Sequence, residues 1–308
     1  MKNVLRYGIL FLALLAGILC LLQYTLDQLY KKRATDKYAL VLNHKIDPDV
    51  MIYGPSSTLK HFSPPIIKEV TGYSSYNMGY DGMFFLQFNS LIKEHLTYEK
   101  NCKYVVIGCN MFMGKDYIVM TPKSFYAFLN EDNVYNSLVD IEPKKFLLAK
   151  YLPGYKMTLL NKAYYLSILY SAHRPDPNNG YEPILDTSHN FETITKPFRQ
   201  PYDEYVYTTL KSTVNAITAK GIKVVLVISP IYDKGFQLII NRDTIVSKYQ
   251  ALANNKDVFF LDYTKDTLCH HPEYFNTNSH MGIKGSEIFT RTFSRDLMKL
   301  SDTNTAHN

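Results

Sequence analysis

Two hydrophobic patterns divide this chain. From Tyr7 to Leu26 no charge occurs, and most positions are Leu, Ile, Ala, Gly or Phe. Twenty residues rising about 1.5 Å each span roughly 30 Å, the thickness of a bilayer's hydrocarbon core. The run continues through Cys20-Leu21-Leu22, and Gln23-Tyr24-Thr25 offers no small-x-small cleavage site, which favours an uncleaved anchor over a signal peptide. Leu19 precedes Cys20 where lipid attachment wants Gly or Ala. No second stretch reaches 18 apolar residues, so a single-pass anchor over 1–33 is expected. Lys2 and Arg6 before the span nearly balance Lys31, Lys32 and Arg33 after it, which leaves the orientation open on charge alone.

Beyond the anchor the pattern alternates. Val50–Tyr53, Tyr104–Gly108, Ile222–Ile228 and Val258–Leu261 are short continuous apolar runs, the mark of strands buried on both faces. Phe84, Phe88, Leu91, Ile92 and His95 recur at helical spacing. So do Val206, Leu210, Thr213, Val214 and Ile217, a helix closed by Gly221, and Phe289, Phe293, Leu297 and Leu300 near the end. This predicts βαβ units: a three-layer α/β/α domain over 34–300 with a parallel sheet of about five strands. Ligands of such sheets sit beyond the strands' carboxyl ends. Residues 111–200 interrupt the alternation with aromatic and Lys-rich patches and the stretch Arg174-Pro-Asp-Pro-Asn-Asn-Gly180. A helical insertion with a long loop is expected there, as a lid, a membrane-proximal cap or a mere excursion. Residues 301–308 are polar and expected to fray.

Composition narrows the function. With 46% hydrophobic and 20% charged residues the chain is neither disordered nor collagen-like. The net charge of +6 is scattered, with no basic run longer than Lys31-Lys32-Arg33, which argues against a nucleic-acid partner. Four cysteines do not make a disulfide scaffold; Cys102 and Cys109 flank one strand, too far apart to pair. No glycine-rich phosphate loop suggests a nucleotide, and no cofactor is expected. His270-His271 beside Cys269 has no spaced partner, so it reads as a surface turn and no metal site is expected.

Candidate chemistry follows the strands. Gly54-Pro55-Ser56-Ser57 is a tight turn that sets Ser56 at the mouth of the sheet, above a helix N-terminus; taken alone, Ser56 would be a helix N-cap. Tyr76-Asn-Met-Gly-Tyr-Asp-Gly82 and Gly108-Cys109-Asn110 are further turns, and His280 stands just before the last helix. The order Ser, Gly, Asn, His resembles the SGNH (GDSL-like) hydrolase superfamily. The stretches Ile52-Tyr-Gly-Pro-Ser-Ser57, Gly180-Tyr-Glu-Pro183 and His280-Met-x-x-x-Gly285 are similar to membrane-anchored SGNH-like proteins of cell-envelope polysaccharide loci. The resemblance covers roughly residues 48–110 and 220–298. It implies Ser56 as nucleophile, His280 as base, and Gly79 and Asn110 as oxyanion donors. It also implies a cytoplasmic-membrane protein whose body is extracytoplasmic, with an acyl ester or glycan as substrate.

One departure matters. The family's acid lies three residues before the histidine, and here that position is Thr277, flanked by Asn276 and Asn278. A histidine base needs its second nitrogen held. The expected holder is a backbone carbonyl of the 275–279 loop, then the Thr277 hydroxyl, then a remote carboxylate such as Asp262 or Asp266. Two functions stay open: a serine esterase or O-acyltransferase, favoured by Ser56, Gly79, Asn110 and His280 together, and a catalytically inactive glycan- or partner-binding protein, favoured by Thr277.

Overall fold

The computed structural model describes residues 2–33, 36–114, 121–170 and 176–302. Helices α1 (Lys2–Arg33) and α2 (Lys37–Leu42) lead into strand β1 (Val50–Tyr53). Then come α3 (Ser56–His61), α4 (Pro64–Thr71), β2 (Ser75–Asn77), α5 (Phe85–Tyr98) and β3 (Tyr104–Gly108). The insertion follows, with α6 (Ser124–Ala127), α7 (Asp132–Ile141), α8 (Pro143–Tyr151), α9 (Tyr155–Thr158) and α10 (Lys162–Tyr170). The chain closes with α11 (Glu204–Thr218), β4 (Lys223–Ile228), α12 (Asp233–Phe236), α13 (Arg242–Gln250), β5 (Val258–Asp262) and α14 (Ile283–Asp302). The α1 helix is long and apolar enough to cross a membrane. Of the tail expected to fray, residues 303–308 lie outside the described residues.

The five strands form one parallel sheet in the order β2-β1-β3-β4-β5. Alternation of side chains across each strand divides the core in two. Met51, Val105, Ile107 and Leu226 pack toward α5 and α11, whereas Val50, Ile52, Val106 and Val225 pack toward Phe62, Phe289 and Phe293 beneath α3 and α14. Both faces are covered, giving three layers, and this is why the strands lack polar alternation.

The chain reverses its direction of travel across the sheet between β1 and β3, so their carboxyl ends form the topological switch point. Gly54 and Gly108 end these two strands. A Cβ at either would stand about 2 Å from Thr58 Oγ1, at 2.1 and 1.8 Å. Only glycine at both positions lets α3 start this close to the strand ends, and that start carries Ser56.

From residue 176 onward the insertion runs without regular structure across this edge. Asn77 N–H donates to Asn179 O (2.8 Å), Glu182 N–H to Leu59 O (3.3 Å) and Ile283 N–H to Ile184 O (3.0 Å). At Gly180 φ is +83°, and a Cβ there would lie 2.0 Å from Asn77 O, so both the turn and the close approach require glycine. Further on, Asn190 N–H donates to Asn276 O (2.7 Å). The segment is therefore a strap that touches both α3 and the loop before α14.

Candidate active site

Ser56 is the first residue of α3, with Pro55 in the N-cap position and no side-chain cap. This corrects the N-cap expectation: the hydroxyl is free of the helix. It lies 2.8 Å from His280 Nε2, across 224 residues of sequence. His280 belongs to a tight turn in which the Asn276 and Thr277 N–H groups both donate to His280 O, at 2.9 and 3.2 Å. That turn leaves the ring between Ser56 and the Thr277 side chain.

The second ring nitrogen is held by a hydroxyl. Thr277 Oγ1 is 3.0 Å from His280 Nδ1, with Ser279 Oγ at 3.3 Å. The expected backbone carbonyl is not the holder, because the turn directs N–H groups, not carbonyls, inward. Asn276 and Asn278 do not orient the ring either. Asn276 Nδ2 donates to Ser188 O (2.6 Å), and Asn278 bonds both the N–H and the carbonyl of Glu192. Their amides face the strap and tie it to the turn. Asp262 binds Thr264, and Asp266 caps the turn at Leu268, so neither reaches His280.

The Gly79 N–H, expected as an oxyanion donor, is committed elsewhere. It donates to Asn77 Oδ1 (2.8 Å), whose amide in turn donates to Thr58 O and Phe62 O. Asn77 thus closes the C-terminal end of α3, and Gly79 packs so tightly that a Cβ would lie 2.4 Å from Leu59 N. Gly79 serves this close contact. Asn110 differs. Its Oδ1 accepts the Phe112 N–H (3.0 Å), which fixes the amide and leaves Nδ2 without a protein partner among the described residues. Tyr249 OH holds the Asn110 carbonyl (2.9 Å).

Sequence reasoning missed two features here. His61, fully buried on α3, accepts the Met281 N–H at Nε2 (2.9 Å), which leaves Nδ1 protonated to donate to Ser229 Oγ (2.8 Å). It links the nucleophile helix to the residue after His280. Burial, then the neighbouring His280, hold it well below the usual histidine range. A histidine one turn and a half past the serine was the only available signal. The second feature is the Lys60–Asp81 pair (3.5 Å) at the site's mouth. His280 is pushed below its ordinary 6.5 chiefly by burial; Asp81 opposes this shift and Lys60 reinforces it. A neutral imidazole at neutral pH is the form that can accept a proton.

A cleft of about 390 Å³ adjoins the pair. Its lining is mixed: Ser57, Asn110, Glu192, Gln200 and Ser279 are polar, and Phe112, Ile194, Phe198 and Ile239 are apolar. His270 and His271 sit on an exposed turn, paired with Asp233 and Glu273.

The sequence matches no family model, and no curated protein matches it. Among solved structures, one neighbour is a provisionally named platelet activating factor protein from Streptococcus pneumoniae. It is 13% identical, covers 94% of this chain and 99% of its own, and has a TM-score of 0.44. Another is a provisionally assigned acylhydrolase from Bacteroides fragilis, 14% identical, covering 86% and 97%, with a TM-score of 0.41. Neither likeness bears on the site.

Proposed function

We propose that this chain is a membrane-anchored serine hydrolase or O-acyltransferase of SGNH type, acting on ester-bearing glycans of the cell envelope. One observation carries the reading: a serine hydroxyl 2.8 Å from a half-buried histidine, at the switch point of a parallel sheet. Ser56 Oγ attacks an ester carbonyl while His280 Nε2 takes its proton. The tetrahedral oxyanion is stabilised by the Ser56 backbone N–H, at the positive end of α3, and by Asn110 Nδ2. His280 then passes its proton to the leaving alcohol. Water or a sugar hydroxyl, activated by the same nitrogen, releases the acyl group from Ser56. The cleft beside Asn110, with Phe112, Ile194, Phe198 and Ile239 among its walls, has room for an acyl chain. The apolar run of α1 supports a single-pass anchor in the cytoplasmic membrane, and the SGNH-like resemblance supports an extracytoplasmic body.

A second reading rests on Thr277. Hydroxyls at Nδ1 cannot balance an imidazolium as a carboxylate does, which favours a binding protein that keeps the fold without turnover. Hydrolysis of p-nitrophenyl acetate by the full chain in detergent separates the two. Ser56→Ala and His280→Ala should each abolish the wild-type rate. Equal rates in all three proteins would leave the binding reading.

A further inference from the structure

The α1 helix does not leave the body as a free tether. Leu19, Gln23, Leu26 and Tyr30 recur along one face and are partly or fully covered, while Leu21, Leu22 and Tyr24 beside them are exposed. The insertion supplies the cover. Tyr30 stacks on Tyr164 with ring centroids 5.0 Å apart, and its hydroxyl bonds Ser124. Lys156 pairs with Asp27, Lys31 with Glu131 (2.8 Å), and Arg33 donates to Ile168 O (3.2 Å). Lowest along the helix, Gly154 lies against Leu19: a Cβ there would stand 3.2 Å from Leu19 Cδ1.

That contact fixes a depth. Leu19 is seven residues inside the end of the apolar run at Leu26, or about 10 Å at 1.5 Å per residue. If the run crosses the bilayer, the turn at 152–155 lies about 10 Å below the end of that run, the depth to which the apolar face of an interfacial segment sinks. The flanking side chains fit that place. Leu147, Tyr151 and Leu152 are 52%, 66% and 48% exposed. Residues 143–170 carry five lysines and no acidic residue; Lys156 is buried against Asp27 and Lys145 pairs with Glu142, which leaves Lys144, Lys150 and Lys162 outside the described ion pairs. Exposed Leu and Tyr ringed by Lys is the composition of a segment lying in an anionic membrane interface, where lysine stems lie along apolar surface and their heads reach the phosphates.

We infer that the 143–158 arm of the insertion is seated in the interfacial layer of the bilayer that α1 crosses, against anionic lipid. Leu147, Tyr151 and Leu152 dip into the acyl boundary. The inference rests on the membrane-anchor part of the proposed function and is independent of the chemistry at Ser56. It makes α1 and the insertion one foot, holding the body at a set height and tilt over the membrane.

The chain has no tryptophan, so a single introduced indole reports its own surroundings. Three full-length variants, Leu152→Trp, Leu12→Trp and Lys256→Trp, would be placed in vesicles of phosphatidylcholine and phosphatidylglycerol, with and without brominated acyl chains. The Leu12→Trp variant reports insertion of α1. The Lys256→Trp variant carries its indole on an exposed turn between Gln250 and β5. The inference expects Leu12→Trp and Leu152→Trp both to lose most of their emission to bromine and Lys256→Trp to lose none. Exchanging phosphatidylglycerol for phosphatidylcholine should weaken the quenching of Leu152→Trp. Quenching of Leu12→Trp with none of Leu152→Trp would overturn the seating of the arm, and indifference to phosphatidylglycerol would overturn its electrostatic part. An unquenched Leu12→Trp would overturn the anchor itself.

Discussion

Replacing Thr277 by Asp puts a carboxylate where a hydroxyl now stands 3.0 Å from His280 Nδ1. A hydroxyl can accept from Nδ1 or donate to it, and donation selects the tautomer whose Nε2 already carries a proton and cannot act as base. A carboxylate only accepts, so it fixes Nδ1–H and leaves Nε2 facing Ser56. It also stabilises the imidazolium that forms as Ser56 attacks. An opposite charge at this range raises a histidine pKa by about 1–3 units. At about 1.4 kcal/mol and tenfold in rate per unit, kcat/KM should rise roughly 10- to 1000-fold. The turn tolerates the change, because Thr277 Oγ1 already accepts the His280 and Ser279 N–H groups, and Asp makes the same turn. The assay is p-nitrophenyl acetate hydrolysis by wild type, Thr277→Asp and the double variant with Ser56→Ala, with the His280 pKa followed by NMR. A Thr277→Asp enzyme whose His280 pKa has risen but whose rate has not would refute the reasoning.

Three further outcomes follow from the same geometry. His280 lies below 6.5 through burial, so kcat/KM should climb with pH along a limb whose midpoint falls below pH 6.5; Asp81→Asn should move that limb to lower pH and Lys60→Met to higher, as a pH–rate profile would record. His61 is neutral in the fold, so below pH 6.5 the unfolded chain takes up a proton that the folded chain refuses; the melting temperature should fall as pH drops from 6.5, less steeply in His61→Gln. If the cleft takes the acyl chain, butyrate and hexanoate esters should outrun acetate, and Ile231→Trp, which fills the cleft, should restore the preference for acetate without slowing it.

The strands were legible because a sheet covered on both faces demands continuous apolar runs, and Val50–Tyr53, Tyr104–Gly108 and Lys223–Ile228 supply them. Ser56 and His280 were singled out by the order Ser, Gly, Asn, His in the turns after successive strands, which resembles SGNH hydrolases; taken alone, Ser56 reads as an N-cap. What binds them together was not. The His61–Ser229 bond spans 168 residues and depends on the sheet being assembled. The choice of the Thr277 hydroxyl over a backbone carbonyl depends on the direction of N–H groups in one turn. The Gly79 N–H was misread because its partner, Asn77, is two residues away and turns back on it. The strap across the site carries almost no periodic signal, since its contacts run through Glu182, Ile184 and Asn190 to α3, to the first residue of α14 and to the loop before it.

The most direct test is covalent. The full chain in detergent would be treated with a fluorophosphonate probe, digested, and the adduct located by mass spectrometry, with Ser56→Ala and His280→Ala treated alongside. The account predicts one adduct on Ser56 in the wild type, none in Ser56→Ala and strongly reduced labelling in His280→Ala. No adduct on Ser56, or labelling that His280→Ala leaves unchanged, would contradict it.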